Sequence, residues 1–89
     1  MNITGNGTYS LNDEVAGNSS SVFYVAGTQG PAVLQLKYFS NGTAYPFTDG
    51  IFVTGEQYEV THGVDIDLVL VVTGADGSTN LDVIARGLK

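Results

Sequence analysis

The stretch Ile66-Asp67-Leu68-Val69-Leu70-Val71-Val72-Thr73 is the most apolar part of the chain, and the interpretation of the fold starts from it. It is rich in β-branched and branched aliphatic residues, and it ends at the turn sequence Gly74-Ala75-Asp76-Gly77. Eight residues are few for a stable helix, and β-branched side chains lose χ1 freedom in one. The stretch therefore predicts a β-strand, which we expect to be the central strand of the fold.

Both faces of this strand carry apolar residues. Successive side chains of a strand point to opposite sides of its sheet. The predicted core face consists of Ile66, Leu68, Leu70 and Val72. The opposite face begins with Asp67 but continues with Val69 and Val71, so we expect another part of the molecule, or another molecule, to cover these two valines.

The length and composition indicate one small domain over residues 1–89. A chain of this size buries only about 60% of the surface that it exposes when unfolded, so its stability is modest. The chain has no cysteine, which rules out disulfides and cysteine-ligated zinc as a means of stabilisation. Oligomerisation or docking on a larger partner is the remaining common device for so small a domain.

The charge of the chain argues against nucleic acid as a partner. Nine acidic residues face three basic ones, which gives a formal net charge of -6. Such a chain repels a phosphate backbone. No stretch is long and apolar enough to span a bilayer, so no membrane partner is expected. The first residues lack the features of a secretion signal, and we therefore expect the chain to be made in the cytoplasm and either kept or assembled there.

The rest of the sequence reads as short strands separated by turns. Turn signals recur about every 8 to 12 residues, which is typical of a sandwich or barrel. Residues 1–11 predict an edge strand or a loose N-terminal arm. Asn41-Gly42 predicts a tight hairpin, Pro46 an edge strand, and Thr48-Asp49-Gly50 a further turn. The predicted fold is all-β: a small antiparallel β-sandwich, jelly-roll-like, with seven or eight short strands.

Few residues suggest catalysis, a cofactor or a metal. His62 is the single histidine, and its place between Thr61 and Gly63 indicates a turn residue. The segment Asp76 to Asn80 resembles a calcium loop in composition, but a tight Asp-Gly turn needs no metal. We therefore predict no catalytic residue, no cofactor and no metal site, and we do not expect an enzyme.

The remaining candidate is a contact surface. If the last two predicted strands pair as a hairpin across residues 74–78, the outward apolar side chains become neighbours, and charged residues form a polar rim beside them. The predicted interface consists of Val69, Val71 and Ile84, with Arg86 and Asp82 as the rim. A contiguous apolar patch of this kind usually marks an interaction site. The alternative is that the N-terminal arm or a second sheet covers these residues.

Several short motifs resemble those of small β-sandwich structural proteins of tailed bacteriophages. The motifs are Leu34-Gln35-Leu36, Ser40-Asn41-Gly42, Tyr45, the stretch from Gly50 to Tyr58, the stretch from Leu68 to Val72, Gly74-Ala75 and the stretch from Leu81 to Val83. The resemblance covers a little over half of the chain. That family more often has Trp where Tyr45 stands.

The resemblance implies a non-enzymatic virion protein of the head decoration, or cement, type. Such a protein stabilises the head by binding the capsid surface. The implied partners are the major capsid protein and further copies of the chain, as a homotrimer, and the implied location is the outer capsid surface after synthesis in the host cytoplasm. Two alternatives remain open: a tail, neck or fibre-associated virion protein, and a carbohydrate-binding β-sandwich module that uses exposed tyrosines.

Overall fold

The computed structural model describes residues 1–11, 19–62 and 67–88, and every regular element in this part of the chain is a β-strand. The strands are β1 (Asn2–Ile3), β2 (Gly7–Ser10), β3 (Ser20–Thr28), β4 (Val33–Ser40), β5 (Thr43–Phe52), β6 (Gln57–Thr61), β7 (Asp67–Thr73) and β8 (Asn80–Leu88). The apolar stretch of residues 66–73 corresponds to β7, which begins at Asp67. Ile66 lies outside the described residues.

The eight strands form two antiparallel four-stranded sheets. Sheet A has the order β1-β8-β3-β6, and sheet B has the order β2-β7-β4-β5. The first strand pairs with the last, the second with the seventh, the third with the sixth and the fourth with the fifth. This nested set of antiparallel pairs, folded over into two layers, is a jelly roll. The predicted small antiparallel sandwich is confirmed, with β7 as an inner strand of sheet B.

The core fills the space between the two sheets. Alternate residues of each long strand point into it, as their period-2 pattern predicts. Phe23 of β3 and Phe52 of β5 are the largest fully buried side chains, and their ring centroids lie 5.5 Å apart. The aliphatic part of the core consists of Ile3, Leu11, Val25, Leu34, Leu36, Leu68, Leu70, Val72, Leu81 and Val83.

The predicted hairpin after β4 is confirmed. Asn41 has a φ of 52° and Gly42 a φ of 79°, which are the left-handed values that a two-residue turn between antiparallel strands requires. Asparagine and glycine are the residues that adopt such values at low cost. The return strand β5 lies at the edge of sheet B, as Pro46 predicts, because proline has no N–H to donate to a further strand.

The predicted turn at Thr48-Asp49-Gly50 is wrong, since these residues lie inside β5. The register shifts here: Gln35 lies opposite Ile51, whereas Lys37 lies opposite Pro46. Extra residues of β5 therefore bulge out opposite β4. Gly50 is buried in the bulge, where a Cβ atom would lie 2.9 Å from the Leu36 carbonyl oxygen. The sequence Asp-Gly marks a bulge here instead of a chain reversal.

Residues 1–11 are part of the sandwich, so the prediction of a loose N-terminal arm is wrong. β1 pairs with β8, and β2 forms the edge of sheet B beside β7, which confirms the edge-strand alternative. Ile3 and Leu11 are both fully buried in the core. The arm was expected because this segment is mostly polar, but two well-placed apolar residues are enough to anchor it.

Gln29 joins three of the connections between the sheets at one end of the sandwich. Its side-chain Nε2 donates to the Ala32 carbonyl at 2.7 Å, and its Oε1 accepts from the Thr54 backbone N–H at 3.0 Å. Its backbone carbonyl accepts from the Thr79 hydroxyl at 3.0 Å. The connections β3–β4, β5–β6 and β7–β8 therefore meet at one side chain and its peptide group.

Candidate interaction surfaces

The predicted interface is divided between the two sheets. β7 lies between β2 and β4 in sheet B, whereas β8 lies between β1 and β3 in sheet A. The prediction that Val69, Val71 and Ile84 form one patch is therefore wrong. The physical reason is that residues 74–79 cross from one sheet to the other, and Thr79 is bound to Gln29 on the β3–β4 connection.

The two outward valines of β7 differ in exposure. Val69 lies outside the core cluster yet is only 5% exposed, and its ladder neighbours are Ser10 and Lys37. The carbon stem of a lysine can shelter an apolar neighbour while its charge stays in water. Val71 is half-buried between Thr8 and Gln35. Of the two, Val71 is the residue that a partner can reach.

An exposed apolar patch lies on the outer face of sheet B and includes Val71. Ile51 is 49% exposed and Val33 is 45% exposed. Val71 and Ile51 both lie opposite Gln35, and Val33 precedes Gln35 by two positions on the same face of β4. We call Val33, Ile51 and Val71 the sheet-B patch. The turn predicted at residues 48–50 would start a new strand at Ile51, whereas Ile51 lies in β5 opposite Gln35.

The other three predicted residues lie on the outer face of sheet A. Asp82, Ile84 and Arg86 alternate along β8, and all three are exposed, so the expected polar flanks of Ile84 are present. Ile84 lies opposite the exposed Tyr24 of β3. Asp82 also lies 3.3 Å from the ammonium group of Met1. Two exposed large apolar side chains, Tyr24 and Ile84, therefore lie in one row on this face, between charged residues of β8.

Three aromatic rings cluster across the β4–β5 hairpin. The Tyr38 and Tyr45 rings stack with centroids 5.6 Å apart, and the ring of Phe47 meets Tyr38 edge-on at 5.1 Å. Tyr38 and Phe47 are half-buried against the core, whereas Tyr45 is 45% exposed. Tyr45 is the member of this cluster that solvent reaches.

His62 is a buried residue, which corrects its interpretation as an ordinary turn residue. Its Nε2 lies 2.8 Å from the Ser21 hydroxyl, and its backbone N–H donates to the Ser19 carbonyl at 2.9 Å. Ser21 is fully buried with 0% exposure, so a substrate could not reach its hydroxyl in this fold. The pair links the start of β3 to the end of β6. No sequence signal marked it, because its two members are 41 positions apart.

In the turn before β8, the carboxylate of Asp76 accepts its hydrogen bonds from within the turn. The Asp76 carboxylate accepts from the Ser78 hydroxyl and from the Ser78 backbone N–H, the latter at 2.8 Å. These two hydrogen bonds lower the pKa of Asp76 below its ordinary value. Across residues 1–11, 19–62 and 67–88, no group of three or more His, Cys, Asp or Glu side chains is arranged to hold a metal ion.

Comparison of the chain with protein-family models, with curated proteins and with solved structures found no match. Among the described residues, no helix is long and apolar enough to cross a membrane. The surfaces of the sandwich therefore provide the structural evidence on function.

Proposed function

We propose that this chain is a non-catalytic virion structural protein of the capsid decoration type, which binds the outer capsid surface and its own copies. The setting comes from the sequence resemblance to small phage β-sandwich proteins. The jelly roll recurs among viral capsid domains and among lectins. A fold shared by unrelated functions supports the proposal only by analogy. The contact surface supplies the physical argument.

The sheet-B patch is the single observation that carries the proposal. Half-exposed Val33 and Ile51 lie with Val71 around Gln35 on the outer face of sheet B. Burying the exposed half of an aliphatic side chain yields about 1 kcal/mol, so Val33 and Ile51 together yield about 2 kcal/mol per subunit, and half-buried Val71 adds less. A gain of this size is large beside the stability of a small domain. Association would therefore stabilise both the assembly and the subunit.

The charge of the chain suits this role. A net charge of -6 keeps free subunits apart and soluble until an apolar or basic surface offsets the repulsion. A protein on the outer surface of a particle has no need to bind the nucleic acid inside. The proposed partners are the major capsid protein and two further copies of the chain.

The first experiment measures assembly. The purified chain is studied by light scattering and then added to head shells that lack it, with co-sedimentation as the readout. We expect a homotrimer that sediments with the shells. Ile51→Asp should abolish both, whereas Thr28→Asp, which adds the same charge on the outer face of sheet A, should change neither. Equal behaviour of the two variants would refute the use of the sheet-B patch.

The mass of the oligomer also tests the main alternative. A tail, neck or fibre-associated protein assembles in six-fold or twelve-fold rings, so a hexamer or dodecamer would replace the capsid proposal with that one. A chain that stays monomeric and ignores head shells would contradict both.

The aromatic cluster favours a second candidate function, carbohydrate binding. The exposed ring of Tyr45 stacks on Tyr38, so it is held in a fixed orientation in which a sugar ring could pack on it. A glycan array tests this candidate. Binding that is lost in Tyr45→Ala but kept in Ile51→Asp would support it, and an array without any bound glycan would dismiss it.

A further inference from the structure

The edges of the two sheets differ in how well they are protected. An unpaired edge strand presents N–H and C=O groups that can accept a strand from another chain. β1 has two residues and β2 has four, and β5 contains Pro46 and the bulge at Gly50. β6, at the edge of sheet A, is a regular five-residue strand. It is therefore the edge best suited to strand addition.

The hydrogen-bond pattern shows which peptide groups of β6 point outward. The His62 N–H donates to the Ser19 carbonyl, so this pair is a hydrogen-bonded pair of the β3–β6 ladder. Bonded and non-bonded pairs alternate along an antiparallel ladder. The N–H and C=O groups of Gln57, Glu59 and Thr61 consequently point away from β3, and the side chains of all three residues are exposed.

Charge decides what kind of strand fits this edge. Glu59 is the middle one of the three outward residues, and the exposed Glu56 lies just before β6. If two copies paired antiparallel over the full strand, Glu59 would lie opposite Glu59 of the other copy, and like charges directly opposite each other are destabilising. Each copy also carries a net charge of -6. These negative charges therefore disfavour this pairing with a second copy and favour a basic segment.

We propose that the free edge of β6 binds an extended segment of a different protein that places Lys or Arg opposite Glu59. Main-chain hydrogen bonds to Gln57, Glu59 and Thr61 give the affinity, and the charge pair at Glu59 selects the register and the partner. This inference does not depend on the virion role. It concerns sheet A, whereas the proposed self-association uses sheet B.

The test uses a capped synthetic peptide, Thr-Val-Thr-Lys-Thr-Val-Thr, and the same peptide with Glu in place of Lys. Each is titrated into the ¹⁵N-labelled full chain, and amide chemical shifts are recorded. The lysine peptide should shift the amides of residues 57–61 in sheet A, and the glutamate peptide should leave them unchanged. Unshifted β6 amides with the lysine peptide, or equal effects of both peptides, would overturn the proposal.

Two variants and one control separate strand addition from general charge attraction. Thr61→Pro removes one outward N–H but none of the bonds to β3, and it should weaken the lysine peptide about fivefold, since a hydrogen bond contributes about 1 kcal/mol. Glu59→Gln should remove the discrimination between the peptides. Thr28→Lys, which changes the net charge by the same amount on another strand, should preserve it.

Three further outcomes would contradict the inference. The first is an affinity unchanged by Thr61→Pro with its spectrum otherwise intact. The second is equal behaviour of Glu59→Gln and Thr28→Lys. The third is a set of β6 shifts that follow protein concentration without peptide, because that result would make a second copy the occupant of the edge.

Discussion

Gln29→Ala should destabilise the sandwich by about 2 kcal/mol, because Gln29 is the point at which three inter-sheet connections meet. The variant loses the bond from Nε2 to the Ala32 carbonyl and the bond from the Thr54 N–H to Oε1. Each is worth about 0.5 to 1.5 kcal/mol, and the Thr54 N–H is left in a partly buried place without its acceptor. The bond from the Thr79 hydroxyl survives, since its acceptor is the backbone carbonyl.

Thermal and urea unfolding followed by circular dichroism measure this loss. For a domain of this size, 1 kcal/mol corresponds to a change of about 4 to 8 °C in Tm, so Gln29→Ala should melt about 10 °C lower. The urea midpoint should fall while the m-value stays the same. Thr28→Ala, at an exposed neighbouring position, is the control and should stay within about 0.5 kcal/mol of the native chain. If Gln29→Ala also stays within that range, Gln29 does not hold the connections together.

Two further predictions concern the bulge of β5 and the turn before β8. Gly50→Ala should lower the free energy of unfolding by about 1 to 3 kcal/mol, because the new Cβ would crowd the Leu36 carbonyl. The control Gly77→Ala, where a Cβ meets nothing within 4 Å, should change the free energy of unfolding little, and equal urea midpoints of the two variants would contradict this. Ser78→Ala should raise the pKa of Asp76 toward its ordinary value in an NMR titration. The lowered pKa of Asp76 stabilises the fold above the unfolded pKa, and that contribution is lost as the pH falls through the folded pKa. The variant should therefore show less of this acid sensitivity. An unchanged pKa would show that the Ser78 hydroxyl is not the cause, since the variant keeps the Ser78 backbone N–H.

The strands themselves could be predicted from the sequence because each carries local evidence. β4 alternates cleanly, and its inward residues Leu34 and Leu36 are fully buried. Asn41-Gly42 specifies a hairpin turn by backbone preference alone. β6 occupies residues 57–61, where Tyr58 and Val60 alternate with polar residues. In each case the decisive information lies within about ten residues.

The pairing of the strands could not be predicted in the same way. A period-2 pattern fixes which face of a strand is buried, but it does not say which other strand lies beside it. Residues 74–79 could close a hairpin or cross between sheets. The crossing is fixed by Thr79 binding to Gln29, which is 50 positions away. The predicted interface failed at this step, although Val71 and Ile84 were each placed correctly on an outward face.

Composition misled the interpretation of residues 1–11 for a related reason. A mostly polar segment offers few side chains for a core. Ile3 and Leu11 are nevertheless both buried, and both ends of the segment lie against neighbouring strands. In so small a domain, one buried residue contributes as large a share of the core as a whole apolar stretch does in a larger domain.

The pairing of β1 with β8 has a consequence for how the chain folds during its synthesis. The ribosome makes β1 before β8, so β1 has no partner strand until residues 80–88 have left the exit tunnel. Such remote pairings make folding slow, since a long loop must close before any contact offsets its entropy. A nascent chain that exposes only residues before 80 should therefore remain sensitive to protease, and resistance should appear once residues 80–88 have emerged from the ribosome.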